Sequence, residues 1–172
     1  MNSRLEHLQS KIVDHKAALQ RMYKWKMQGH KVVFTNGCFD LLHTGHVSYL
    51  SEAADRGNRM VVALNTDASV KRQGKGDDRP VNNEDARAIV IAGLSAVEMV
   101  VFFDDDTPLE LIKRLNPDVL AKGADYDPDE TDTSSKTYIV GSDFVKSNGG
   151  EVVAIPLVEG FSTTAVIEKL RG

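Results

Sequence analysis

The sequence of 172 residues contains a single cysteine, Cys38. No disulfide can close within the chain, and a reducing compartment fits that composition. A cationic excess is also missing: 21 Lys and Arg stand against 25 Asp and Glu, a formal net charge of -4. General nucleic-acid and membrane-surface binders need a broad surplus of basic residues, so neither partner is expected. A small basic pocket, being local, stays open. Long apolar runs are absent too. Met1 to Gln20 mixes charged with apolar residues and has no h-region, and nothing approaches the ~20 apolar residues of a spanning helix. A soluble, cytoplasmic protein is the expectation.

What is present suits one sizeable core, since 41% of the residues are hydrophobic. Residues 3 to 28 read as one amphipathic helix, with Ser3 and Glu6 at capping-box spacing and Leu5, Leu8, Ile12, Leu19 and Met22 at helical intervals. It forms an N-terminal extension, residues 1–30, that packs on the domain of residues 31–172 or on a second subunit as a homodimer. From Lys31 onward strand and helix signals alternate. Nearly continuous apolar runs at Val32–Thr35, Met60–Leu64, Met99–Phe103, Val119–Ala121 and Val152–Ile155 suit parallel strands buried on both faces. Helical patterns fall at Gly45–Arg56, Asn83–Val97, Pro108–Leu115, Lys136–Ser147 and Thr163–Leu170. Thr107-Pro108-Leu109-Glu110 combines an N-cap, a proline at the first helical position and a capping-box glutamate. The alternation predicts an α/β, Rossmann-like open parallel sheet of about five strands with helices on both faces. Ligands of such sheets bind beyond the carboxyl ends of the strands, at the switch point. The segment Gly123–Ser135, rich in Asp and Thr, reads as a surface loop.

Neither the dinucleotide fingerprint nor the P-loop follows the first of these strands. Instead Thr35-Asn36-Gly37-Cys38-Phe39-Asp40 leads into Leu41-Leu42-His43-Thr44-Gly45-His46. Gly37 permits a tight turn, and Gly45 sits where a helix begins, with free N–H groups and the positive end of a helix dipole. An anion is favoured there. His43 and His46 add side-chain donors that can converge on one ligand and stabilise developing phosphoryl charge. A His-x-x-His pair also reads as a zinc pair or as two surface histidines; zinc would need further ligands, and Cys38 is the only thiol.

The combination resembles the nucleotidyltransferase superfamily with the H-x-G-H signature. Further segments are similar to one branch of it, the ADP-heptose synthases. They are Thr35–Leu50, Asn65-Thr66-Asp67, Lys75-Gly76-Asp77-Asp78-Arg79-Pro80-Val81-Asn82, Thr107-Pro108, Pro117–Tyr126, Asn148–Glu151 and Gly160-Phe161-Ser162-Thr163-Thr164. The resemblance implies transfer of AMP from ATP to a heptose 1-phosphate, with release of pyrophosphate and assistance from Mg²⁺. In that branch the domain is often fused behind a sugar kinase; here the resemblance implies a kinase on a separate polypeptide. Two other readings stay open: a cytidylyltransferase for a small polyol or amino-alcohol phosphate, and an inactive nucleotide-binding module. Glycerol-3-phosphate cytidylyltransferases carry an arginine in the last motif where this chain has Leu157, which counts against a close match to them.

By the same resemblance His43, His46 and Lys75 are the catalytic candidates, with the histidines and Gly45 on the triphosphate. Backbone at Cys38 and Phe39, the run Lys122, Gly123 and Asp125, and Ser162, Thr163 and Thr164 at the last helix start are expected around the nucleotide. Asp40 holds a metal ion or a sugar hydroxyl, or caps a turn. Asn65, Lys71, Arg79 and Arg87 are expected on the substrate, the three basic residues on its phosphates beside a mobile flap of residues 71–79. For Arg87 a surface ion pair with Glu84 is the plain alternative.

Overall fold

Alternate residues of the central strands serve two separate cores, which is why their sequences run apolar without a break. In a computed structural model describing residues 3–171 apart from 75, 77 and 78, β2 (Val32–Gly37) and β3 (Arg59–Asn65) lie at the centre of the sheet. Val33, Met60, Val62 and Leu64 pack on one face with Leu50 and Ile91, while Val32, Phe34, Val61 and Ala63 pack on the other with Met22 and Ile112. The remaining strands are β1 (Ile12–Val13), β4 (Met99–Phe103), β5 (Val119–Gly123) and β6 (Glu151–Ile155). All pairings are parallel, in the order β1-β4-β3-β2-β5-β6. The helices are α1 (Arg4–Ser10), α2 (His15–Met27), α3 (Thr44–Ala54), α4 (Asp67–Arg72), α5 (Glu84–Ala92), α6 (Leu109–Leu115), α7 (Ser142–Ser147) and α8 (Thr163–Arg171).

The chain builds outward from β2 to β3 and β4, then crosses back to place β5 on the other side of β2. That reversal puts the switch point between the exits of β2 and β5.

The sheet has six strands where five were expected, and the sixth comes from the N-terminal segment. The Ser3–Glu6 capping box forms, but α1 ends at Ser10. Ile12 and Val13 then pair with Val100 and Val101 of β4, and Asp14 caps a second helix by accepting from the Ala17 amide. A single helix over 3–28 could not serve both faces of the sheet. Leu8 and Ile12 join the core on one face, whereas Val13, Ala18 and Met22 join the core on the other. Lys11 fixes the crossing point, its Nζ donating to the carbonyls of Ala92 at 3.0 Å and Val97 at 2.7 Å.

Two helix starts also differ from expectation. Helix α6 begins at Leu109 with Pro108 as N-cap and no side-chain cap bond, and Glu110 accepts from Lys113 instead of closing a box. Residues 136–141 are irregular, and α7 begins only after Gly141, whose φ of 89° suits glycine. An added Cβ there would also lie 2.9 Å from the Ile112 side chain. The short helix α4, capped by Thr66 accepting from Ser69, occupies part of the expected flap.

Candidate active site

The exit of β2 turns sharply. Phe39 takes φ 47°, a left-handed conformation uncommon outside glycine. Its ring folds back over Gly37, where a Cβ would lie 2.9 Å from Phe39 Cε2. The ring also meets His46 edge-on, with centroids 5.3 Å apart at 64°. His43 is the N-cap of α3, and its side chain makes no cap bond. Its ring instead stacks on His46, centroids 3.9 Å apart at 21°. Gly45 makes this stacking feasible, since a Cβ there would sit 3.0 Å from His43 Nδ1 and 3.3 Å from Phe161 Cβ.

Two stacked imidazoles this close cannot readily carry two charges. Burial lowers the His46 pKa, the nearby His43 lowers it further, and a hydrogen bond to the Leu41 backbone opposes both; the result is about 4. Burial lowers His43 as well. Both rings are therefore neutral near pH 7, each offering one N–H donor and one acceptor nitrogen. The Nδ1 atoms of both are buried without a hydrogen-bond partner. Burying a polar atom without a partner is unfavourable, so the stacked pair carries a desolvation cost that its packing against Phe39 and Gly45 must offset.

Around the histidines lies a cleft of about 650 Å³ at the β2/β5 switch point, a volume typical of small-molecule sites. Cys38, Phe39, His43, Gly45 and His46 form its floor. Lys122, Gly123 and Asp125 form one wall, and Ser162, Thr163 and Thr164 at the start of α8 form another. Asp125 Oδ1 comes so close to Gly123 that a Cβ there would be 2.6 Å away. The structure thus gathers all eleven residues expected around the nucleotide in one place. Lys75 lies outside the described residues, and Lys71 is exposed on α4, away from the cleft lining.

Asp40 and Arg87 sit elsewhere than expected in chemical terms. The Asp40 carboxylate is fully buried and accepts from Arg79 Nε at 2.8 Å, Val81 N at 2.9 Å and Asn82 N at 2.8 Å. Three protein donors hold it, which is the arrangement of the turn-holding alternative. Arg79 lines the cleft while anchored by that pair. Arg87 is wholly buried, and its guanidinium donates to the carbonyls of Asn82, Cys38 and Asn65 and to Asp67 Oδ1 at 2.7 Å. It cannot reach a phosphate from there, and its ion partner is Asp67; Glu84 accepts from the Asp67 amide instead. Sequence spacing placed Arg87 one turn into α5 but carried no information on which way it points. Asn65 is buried with its Nδ2 donating to Ser69 Oγ at 2.9 Å.

A second cleft, of about 400 Å³, shares Asn36, Gly37, Cys38, Lys122 and Tyr126 with the first and extends to Asn65, Gln73, Thr107 and Tyr138. Sequence reasoning gives none of Gln73, Thr107 and Tyr138 a ligand role: Gln73 reads only as part of the flap and Thr107 as a helix cap in a matching stretch, and the three stand on unrelated segments. Tyr49 was also missed; its buried hydroxyl joins Thr35 Oγ1 at 2.6 Å to the Ala121 carbonyl at 3.1 Å, tying β2 to β5 beneath the site.

A neutral imidazole pair at a helix start, set at the switch point of a parallel sheet, suits a nucleotidyltransferase of the Rossmann-like type. The cytidylyltransferase-like family pattern matches residues 34–169, and the chain belongs to that family. Among its curated relatives is the bifunctional protein HldE of Magnetococcus marinus, 52% identical over 160 residues that cover 93% of this chain and 31% of the relative. The bifunctional protein HldE of Gluconobacter oxydans is 53% identical, with 93% and 32% covered. The chain therefore spans about a third of the length of these relatives. Two solved structures share the fold. A lipopolysaccharide core biosynthesis protein from Thermoplasma volcanium has TM-score 0.57 and 24% identity, covering 76% of this chain and 98% of its own. Pantoate-beta-alanine ligase from Francisella tularensis has TM-score 0.58 and 12% identity, covering 93% and 76%. Among the described residues no helix is long and apolar enough to cross a membrane.

Proposed function

We propose that this chain transfers AMP from ATP to a heptose 1-phosphate in the cytoplasm, giving ADP-heptose and pyrophosphate. The observation that carries the chemistry is the neutral His43–His46 stack at the start of α3, lining the cleft at the switch point. The similarity to HldE proteins supports the choice of nucleotide and sugar. Their designation as bifunctional, and their greater length, fit a sugar kinase as the source of the acceptor.

In the proposed step an oxygen of the sugar phosphate attacks the α-phosphorus of ATP in line. A new P–O bond forms, the bond from the α-phosphorus to the bridging oxygen breaks, and pyrophosphate leaves with that electron pair. No protein nucleophile is needed, so the residues act by position and charge. The imidazole N–H groups and the first amides of α3 stabilise charge on the α-phosphoryl oxygens as the centre becomes crowded. Neutral rings suit this: they donate without holding pyrophosphate as tightly as a fixed cation would. Mg²⁺ ordinarily enters such reactions on the triphosphate oxygens, where it neutralises charge. Among the described residues no cluster of three or more His, Cys, Asp or Glu side chains could hold a metal.

The test is pyrophosphate release by the purified protein with ATP or CTP and heptose 1-phosphate, alongside His43→Ala and His46→Ala. Turnover with ATP, and a loss on the order of a hundredfold in either variant with an unchanged fold, is expected. Preference for CTP, or ATP binding without turnover on any sugar phosphate, would overturn the reading.

A further inference from the structure

The two clefts meet at one narrow boundary. Asn36 and Gly37 end β2 there, and Lys122 projects from β5 on the other side of the switch point. Lys122 Nζ stands 3.2 Å from Asn36 Oδ1 and 5.0 Å from the centre of the Tyr126 ring. A cation held between the floors of two adjoining clefts suits a phosphate that must lie in one and react in the other.

The second cleft differs chemically from the first. Among the described residues that line it there is no histidine. Its far side carries the neutral hydrogen-bonding groups of Gln73, Thr107 and Tyr138, with the apolar surfaces of Pro108 and Val140 between them. Neutral amides and hydroxyls against small apolar faces are what a polyhydroxylated ring requires. Asp106, the one acid among the described lining residues, pairs with Arg72 Nε at 2.9 Å. Tyr138 donates its hydroxyl to Asp143 Oδ2 at 3.1 Å, which leaves its oxygen able to accept from a sugar. About 400 Å³ accommodates a monosaccharide phosphate and is small for a second nucleotide.

We infer that the second cleft is the acceptor site, in which Gln73, Thr107 and Tyr138 read the sugar hydroxyls while Lys122 holds its phosphate at the boundary. This rests on the adenylyltransferase reading above and adds to it the residues that select the sugar. Three segments distant in sequence, the end of α4, the loop after β4 and the loop before α7, then set specificity together.

The experiment measures KM for heptose 1-phosphate and for ATP in wild type, Gln73→Ala, Thr107→Val, Tyr138→Phe and Lys122→Met. Each of the first three should raise the sugar-phosphate KM roughly tenfold, the worth of about one hydrogen bond, with the ATP KM within twofold. Lys122→Met should raise the sugar-phosphate KM and lower kcat together. Acceptors lacking single hydroxyls supply a control that a merely structural role would not move: one variant's penalty should vanish for one deoxy analogue. Unchanged sugar-phosphate KM in all the variants, equal rises in both KM values, or additive penalties for every analogue would overturn the acceptor assignment alone. Wild-type protein that releases no pyrophosphate with ATP and heptose 1-phosphate would instead overturn the adenylyl-transfer reading, and this assignment with it.

Discussion

Replacing Arg87 with methionine separates two roles that its position in the sequence leaves entangled. The guanidinium ties together four segments: the turn after β2 through the Cys38 carbonyl, the end of β3 through Asn65, the loop before α5 through Asn82, and the start of α4 through Asp67. Methionine fills much of the same volume but supplies no donor. Three carbonyls would lose their partner, and Asp67, 31% exposed, would lose its counter-ion. Breaking a buried pair from one side costs about 3–5 kcal/mol. Partial hydration of Asp67 draws the expectation toward the lower end, about 3 kcal/mol. For a chain of this size that corresponds to a fall in Tm of about 6–12 °C. The assay is urea denaturation and thermal melting of ligand-free protein, with Arg87→Lys in parallel. Lysine keeps the charge but lacks the planar fork, so it should recover little. If Arg87→Met melted within about 1 °C of wild type yet lost turnover, the strut role would be refuted and a direct phosphate contact restored.

Gly45→Ala should leave the melting temperature nearly unchanged and lower turnover about tenfold or more, because the new methyl at 3.0 Å from His43 Nδ1 displaces one ring of the stack. His46 should give a pH signature. Its folded-state pKa of about 4 lies below the ordinary 6.5, so between these values the unfolded chain binds the proton more readily. The stability associated with neutral His46 is therefore complete above pH ~6.5 and declines as the pH falls toward 4. His46→Asn should flatten that slope in denaturation curves, and an NMR titration placing folded His46 near 6.5 would contradict it. Lys11→Met should destabilise the chain by about 1–3 kcal/mol in urea, since the Ala92 and Val97 carbonyls lose a charged donor. An unchanged midpoint would show that water replaces the ammonium there.

What the sequence disclosed follows from the range of the forces involved. The five apolar runs were legible because burial on both faces leaves a continuous local record. The turn and helix start around His43 and His46 were legible because Gly37, Gly45 and the histidine spacing lie within ten residues of one another. The two-residue strand β1 left almost no record. Ile12 continues the helical spacing of Leu5 and Leu8, and only pairing with Val100, far along the chain, selects the extended form. Thr107 illustrates the same limit from the other side: a complete local cap signal was present, yet Glu110 found Lys113 and the box did not form.

Asp40 and Arg87 show why charge near a phosphate site is an uncertain guide to its ligands. A loop that must hold neutral imidazoles within hydrogen-bond reach of a polyanion cannot itself be soft, and glycines at 37 and 45 make it so. Rigidity has to come from beneath. A carboxylate that collects Arg79 and two amides, and a guanidinium that collects three carbonyls and Asp67, supply it from opposite signs of charge. Both groups are buried and mutually independent in their partners except at Asn82, which gives its amide to Asp40 and its carbonyl to Arg87. The histidine turn and the loop carrying Arg79 are therefore one mechanical unit. Loss of either charged group should loosen the floor of the nucleotide cleft and the loop carrying Arg79 together, whereas loss of a cleft-lining side chain should act at its own position alone.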